Sequence, residues 1–326
     1  MSGRGSGRGG GRGGGRGGGR GSWTSFPVWA WLLFFVFIPL GLVAWYSFGD
    51  KPGLFSPVSN EHLSLGRYGE ALTGTFLHTF WNTLEIAGVG TALCLLIGVP
   101  FAYWMAVRTS PKVRGLLVAL VLVPYWTSFL VRTIGWQIVL APNGFLSHVL
   151  QQLQLIDGPL SVLYTRGAVQ LGVVYNYLPL MILPLYVAFE RTDPAQREAA
   201  RDLGAGRWRT FFSVTLPDAL PGLAAGCLLV FIPLMGDYIT PSVLGGARGN
   251  MVGQMVAQQF ESAQNWALGA AMAFVLMGFI IATVVVVGLV FLAVRGLVRY
   301  RRRIDLDAVE PDVSALDGAG PEGVAA

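Results

Sequence analysis

Charge is what this chain has least of. Only 13% of its 326 residues are Asp, Glu, Lys or Arg, against about 25% in an ordinary soluble domain. Cysteine is scarcer still. Cys94 and Cys227 both fall inside apolar runs, so neither a disulfide framework nor a Cys-x-x-Cys metal knuckle can be written, and the redox compartment stays open. The three histidines, His62, His78 and His148, lie far apart. No Ser/His/Asp or Cys/His catalytic set is legible, and each histidine reads as a polar residue near an interface. The lysines are Lys51, after Asp50, and Lys112, after Pro111. Neither sits in a G-x-x-x-x-G-K-[ST] loop, so ATP hydrolysis by that route is excluded. No metal, cofactor or catalytic residue is expected.

What is present is apolar sequence in long uninterrupted pieces. No charged side chain occurs at 21–49, 115–131, 167–189, 219–236 or 262–294, and 78–107 holds a single acid, Glu85. A bilayer span needs about 20 apolar residues. A soluble core explains one or two such runs, but not six. The fold expected is therefore an all-α polytopic membrane protein with about six transmembrane helices. These run about 27–48, 80–107, 115 to either 131 or 140, 168–189, 220–238 and 266–294. The first run is too long, and lacks the small-residue exit, for a cleaved signal peptide; it reads as a retained helix. "FLSHVLQQLQLI", with one apolar and one polar face, reads as lying along the outer surface.

The basic residues set the orientation. Eighteen of the 23 lie before the first run, between the second and third, between the fourth and fifth, and after the sixth. Lys and Arg favour cytoplasmic loops, so both termini are expected in the cytoplasm. The opening "GRGGGRGGGRGGGRG" is a glycine-rich repeat that cannot support a core and is expected to be disordered. Arg-Gly segments suggest RNA, but no aromatic interleaves this one to stack bases. We read it as a basic tail touching anionic headgroups, with no nucleic-acid partner. The acidic tail from Asp305 is likewise expected to be disordered. The organisation expected is a tail (1–22), a first helix with an outer segment (23–76), a core (77–297) and a cytoplasmic tail (298–326).

One cytoplasmic stretch is more than a linker. Asp193-Pro194 is a helix start, and Gly204 is the residue type that ends helices in left-handed geometry. "RWRTFFSVTLP" then puts Trp208, Phe211, Phe212 and Thr215 at helical spacing, with Pro217 expected to end that helix and Asp218 to cap the next. The result is two short helices about a glycine turn, fixed to transmembrane helices at both ends. Such a knuckle, spanning about 190–218, suits the transmission of movement from a cytoplasmic partner.

Glu198-Ala199-Ala200, three residues, Gly204, nine residues, Val214, one residue, Leu216-Pro217 resembles the EAA loop of ATP-binding-cassette (ABC) importer permeases. The likeness extends through "PYWTSFLVRTIGW", "VVYNYLPLMILPLYVAFE" and "GDYITPSVLGG", over about 79–290, and is strongest to the first permease of spermidine/putrescine importers. Asp237-Tyr238 replaces that branch's usual Glu-Phe. The resemblance implies a type I (MetI-like) permease in a bacterial inner membrane, working by alternating access. Its implied partners are ATPase subunits, a second permease and an extracytoplasmic binding protein that supplies most of the selectivity. It implies Glu198 as a polar contact at the ATPase cleft, Ala199 and Ala200 for close approach, and Gly204 for the turn. Val214, Leu216 and Pro217 would fix the second helix. Related branches carry iron, sulfate, opines or phosphonates. A six-helix secondary transporter is the other reading, and it leaves the knuckle unexplained.

Ionisable groups within a membrane are functional candidates. Glu85 lies about two turns from the outer end of the second span and reads either as a path residue or as a buried inter-helix hydrogen bond. Asp237, at the outer end of the fifth, reads as a path residue or as a helix cap. Carboxylates and ring faces suit a polycation, which adds Tyr125, Trp126, Tyr175 and Tyr177 as candidates, each equally readable as packing.

Overall fold

The computed structural model describes residues 21–307 apart from 54, 55, 73 and 248. The Arg-Gly repeat and the chain beyond 307 lie outside the described residues. Everything described is helix or connection, save one isolated β-bridge between Asp50 and Ser59. An all-helical answer follows from the solvent, because a helix satisfies its own backbone where lipid offers no hydrogen bonds.

Helix α1 (Gly21–Leu32) passes through a π turn (Leu33–Phe37) into α2 (Ile38–Tyr46). Outside the membrane, α3 (Gly66–Ala71) is held by Arg67, which pairs with Asp50 at 3.1 Å and Glu70 at 2.6 Å. The long α4 (Gly74–Arg108) and α8 (Arg166–Arg191) follow, with α5 (Pro111–Leu122), α6 (Phe129–Leu140) and α7 (Phe145–Gln152) between them. The knuckle contributes α9 (Pro194–Asp202) and α10 (Arg207–Thr210), and α11 (Leu216–Met235) climbs back. The chain closes with α12 (Val252–Glu261) and α13 (Trp266–Asp307). Five described helical segments are long and apolar enough to span, or six if the bent pair Pro111–Trp126 and Phe129–Gln152 counts as one.

That segment is not one straight helix to Leu140: Pro111–Trp126 and Phe129–Gln152 meet at 89°. Pro124 opens a tight turn (Val123–Trp126), and Thr127 and Ser128 adopt extended backbone before α6 begins. The Thr127 hydroxyl donates to the Pro124 carbonyl at 2.7 Å, so the break is internally satisfied.

Two further boundaries correct the sequence reading. Pro217 does not end the second knuckle helix, because 207–235 is one helical span containing a π turn at Phe211–Thr215. Pro217 has no N–H to give, and the wide turn just before it makes room for its ring. The sixth helix continues past Val294 to Asp307, so 298–307, expected as disordered tail, is helical.

The core is a three-helix wedge with α8 packed between α4 and α11. Val169, Val173, Met181 and Leu185 of α8 are completely buried. Close approach needs small residues, since lipid supplies no hydrophobic drive for helix association. A methyl group on Gly222 would stand 2.3 Å from the Ala188 Cβ and 2.8 Å from the Pro184 carbonyl. Polar stitches fasten the end opposite the knuckle: the Val252 amide donates to Thr83 Oγ1 at 2.8 Å, and Asn82 donates to the Asn250 carbonyl.

Candidate functional site

The knuckle is built as its residues dictate. The Asp193 carboxylate accepts from the Ala195 amide at 2.9 Å and starts α9. The helix ends as Leu203 N–H donates to Ala199 O (3.1 Å), Gly204 N–H to Arg201 O (2.8 Å) and Ala205 N–H to Ala200 O (3.0 Å). Gly204 has φ +82°, a left-handed conformation that glycine adopts without penalty. Nothing lies within 4 Å of where its Cβ would be, so the constraint there is the backbone alone. Gly206 leads into α10, and the Thr210 hydroxyl donates back to its carbonyl at 3.1 Å.

The two sides of this hairpin differ. On the tip, Glu198, Ala199 and Gly204 are exposed and Ala200 is half-buried. Leu203 is 90% exposed and Trp208 78% exposed, which leaves apolar surface where the bundle ends. At the root, Phe211 is gripped by two transmembrane helices: its ring meets Tyr103 of α4 edge-on at 5.0 Å and Phe189 of α8 at 6.3 Å. Tyr103 and Phe189 also meet, at 5.6 Å. Val214, Leu216 and Pro217 are half-buried along the same rooted side. The motif holds neither Tyr103 nor Phe189, and sequence reasoning missed both. Only their placement at the ends of two apolar runs could have flagged them.

Of the six residues proposed for a substrate path, the structure gathers three. Asp237 is 6% exposed, and its carboxylate accepts from the Ile239 amide (3.0 Å), the Thr240 amide (3.1 Å) and the Thr240 hydroxyl (2.5 Å), with Tyr177 close by. It caps the turn after α11, and in this conformation both of its oxygens already accept hydrogen bonds. Tyr177 lies edge-on to Phe129 at 5.9 Å. The guanidinium of Arg132 stands 5.0 Å from the centre of the Tyr125 ring and 5.7 Å from that of Phe129. Arg132, counted in the sequence only for orientation, is thus the cation of this cluster. Its Nε and Nη1 are buried without a hydrogen-bond acceptor.

The other three lie apart. Tyr175 packs edge-on against Trp136 at 5.3 Å, and Trp126 is 86% exposed. Glu85 joins α4 to α8 through Arg166 at 3.1 Å. That contact is between helices, as the sequence reading allowed, but it is not buried: 49% of the Arg166 side chain and 62% of the Glu85 side chain are exposed. Arg166 also lines a cavity of about 660 Å³ with His78, Asn82 and Asn250, at the end of the bundle opposite the knuckle.

A bundle of apolar helices, two of which (α4 and α8) grip the root of an exposed helical hairpin, belongs to the class of multi-pass membrane proteins. Within it, residues 98–303 match the family described as "Binding-protein-dependent transport system inner membrane component", well over half of the chain. The chain belongs to that family, the inner-membrane permeases of ABC importers. It is 38% identical over 283 residues to the spermidine/putrescine transport system permease protein PotB of Haemophilus influenzae, covering 86% of this chain and 95% of that one. Solved structures agree on the fold. A chain of a bacterial ABC transporter involved in the import of the acidic polysaccharide alginate superposes with a TM-score of 0.63 at 16% identity, covering 85% of this chain and 94% of that one. A chain of the MetNI methionine ABC transporter, in an inward-facing form, superposes with a TM-score of 0.55 at 19% identity, covering 69% and 98%. The MetI-like architecture expected from the sequence is therefore the one observed.

Proposed function

We propose that this chain is one of two permease subunits of a polyamine importer, driven by ATPase subunits that grip its knuckle. The orientation proposed puts both termini and the knuckle in the cytoplasm, where the basic residues concentrate. The observation that carries the coupling role is the asymmetry of the hairpin, with its tip exposed at Glu198, Leu203 and Trp208 and its root clamped by Tyr103 and Phe189. A push on the tip therefore reaches α4 and α8 directly. ATP binding by the partner subunits would swing α8 and α11 and open the path outward; hydrolysis and product release would return it. Glu198 would meet a polar group in the ATPase cleft, and Ala199 and Ala200 would allow close approach.

The polyamine assignment rests on the similarity to PotB and on chemistry. A ring face that holds a guanidinium, as Tyr125 holds Arg132, also suits an alkylammonium group. Tyr125, Trp126, Tyr175 and Tyr177, with Asp237 and Glu85, would line the passage of a polycation delivered by an extracytoplasmic binding protein. Residues 77–297 would form the core of this path.

The decisive experiment is a mild-detergent pull-down of the tagged chain with and without Gly204→Asp, joined to spermidine and putrescine uptake. A β-carbon in left-handed backbone costs roughly 1–2 kcal/mol, which displaces the loop from its docked shape about tenfold. The variant inserts normally, because its Cβ meets nothing, while co-purified ATPase and uptake each fall about tenfold. Unchanged uptake, or recovery of the chain without an ATPase, refutes the coupling role and favours a secondary transporter.

A further inference from the structure

Between α4 and the knuckle side of α11 lies a groove of about 830 Å³. Leu95, Leu96, Val99 and Pro100 form one wall, and Phe212, Leu216 and Leu223 the other. Three guanidinium groups, Arg108, Arg201 and Arg207, line it with no carboxylate among them. All three arginines are exposed. We infer that this groove binds one anionic glycerophospholipid of the cytoplasmic leaflet, an acyl chain lying along the apolar walls and the phosphate meeting Arg108, Arg201 and Arg207. The inference rests on the topology of the proposed function, which puts those arginines at the cytoplasmic surface.

Dimensions and chemistry fit that occupant. From Arg108 back to Ala92, which also lines the groove, a helix rises about 24 Å, enough to cross one leaflet of about 15 Å. Trp104, 45% exposed, stands one turn before Arg108 at the charged end, where tryptophan marks a membrane–water interface. A soluble ATPase cannot reach walls that lie within the span of α4. A second permease would need to bring carboxylates to answer three arginines, whereas anionic lipid is already there and basic pockets between helices on this side recruit it. Because Trp208, Phe211 and Phe212 also line the groove, a bound lipid would brace the root of the knuckle and make coupling sensitive to membrane composition.

The test uses the assembled complex in nanodiscs of palmitoyl-oleoyl phosphatidylglycerol and the matching phosphatidylcholine. Native mass spectrometry reads the lipid retained on this chain, and spermidine-stimulated ATPase is followed against the phosphatidylglycerol fraction. The wild type retains phosphatidylglycerol in preference to phosphatidylcholine. Arg108→Gln lowers that retention about fivefold and shifts the ATPase curve to higher phosphatidylglycerol, and Val99→Trp, which fills the groove, abolishes retention. Equal retention of the two lipids by the wild type overturns the inference. So does an Arg108→Gln variant that retains lipid like the wild type, or a Val99→Cys variant that cross-links to the second permease. If no ATPase assembles, the importer reading falls, while lipid retention is still read on this chain.

Discussion

Helices α8 and α13 invite comparison because composition alone ranks them wrongly. The more apolar is α13, yet only 6% of its apolar stretch is buried, against 44% for α8. In water the greasier helix would be the inner one. In lipid, apolar side chains gain nothing by leaving the bilayer for the protein, so helices associate through close packing and polar contacts. Buried α8 carries what those need: Asn176, whose amide reaches Thr133 at 3.2 Å, Tyr177 against Asp237, and Ala188 beneath Gly222. Exposed α13 presents Ile281, Val285, Val286, Leu289 and Val290 outward, a surface suited to lipid.

Substitutions that add volume test this contrast most severely. Gly222→Leu drives its side chain into Ala188 and Pro184 and separates α11 from α8. Overpacking of this kind costs about 1–3 kcal/mol even where neighbours can give, and here one neighbour is backbone. The expected result is loss of the monodisperse peak in fluorescence-detected size-exclusion chromatography. Gly278→Leu, on α13 with nothing within 4 Å, leaves the peak and the melting temperature unchanged. A melting temperature lowered equally by both would erase the distinction between the two helices.

Polar groups sharpen it at smaller scale. Asp237→Ala removes the acceptor of two backbone amides and of the Thr240 hydroxyl. Loss of a cap costs about 0.5–2 kcal/mol, so a clear drop in melting temperature is expected in detergent. Glu85→Gln breaks a pair that is about half exposed, which is worth under about 1 kcal/mol, and the melt should barely move. If Glu85→Gln instead abolishes polyamine uptake at normal stability, that residue acts on cargo and not on packing.

The sequence was legible where a single solvent rule operates along the chain. Gaps between charges located the apolar segments long enough to span, and Asp193-Pro194 with Gly204 outlined the first knuckle helix. It misled where membrane context overrides a local rule. Pro217 breaks helices in water, but here a π turn absorbs it. The arginines of 299–303 read as a tail, yet the helix carries on to Asp307. At Thr127-Ser128 the run of apolar residues concealed an 89° bend, because composition does not report direction. Among the path candidates, Tyr125, Tyr177 and Asp237 were found by residue type, but Arg132, which joins their cluster, carries its meaning only through neighbours on other elements.

The division has a physical cause. Crossing a bilayer, stopping at its surface and turning at a glycine depend on a residue and its immediate neighbours, so the order of residues determined the spans, the hairpin and the family. Which helix is wrapped by others, which aromatic rings clamp the knuckle, and whether Asp237 is free or capped depend on contacts between segments tens of residues apart. Tyr103, Phe189 and Phe211 are unremarkable aromatics one by one. Only the folded chain brings them within about 6 Å of each other, and with that it decides where a movement at the hairpin enters the membrane.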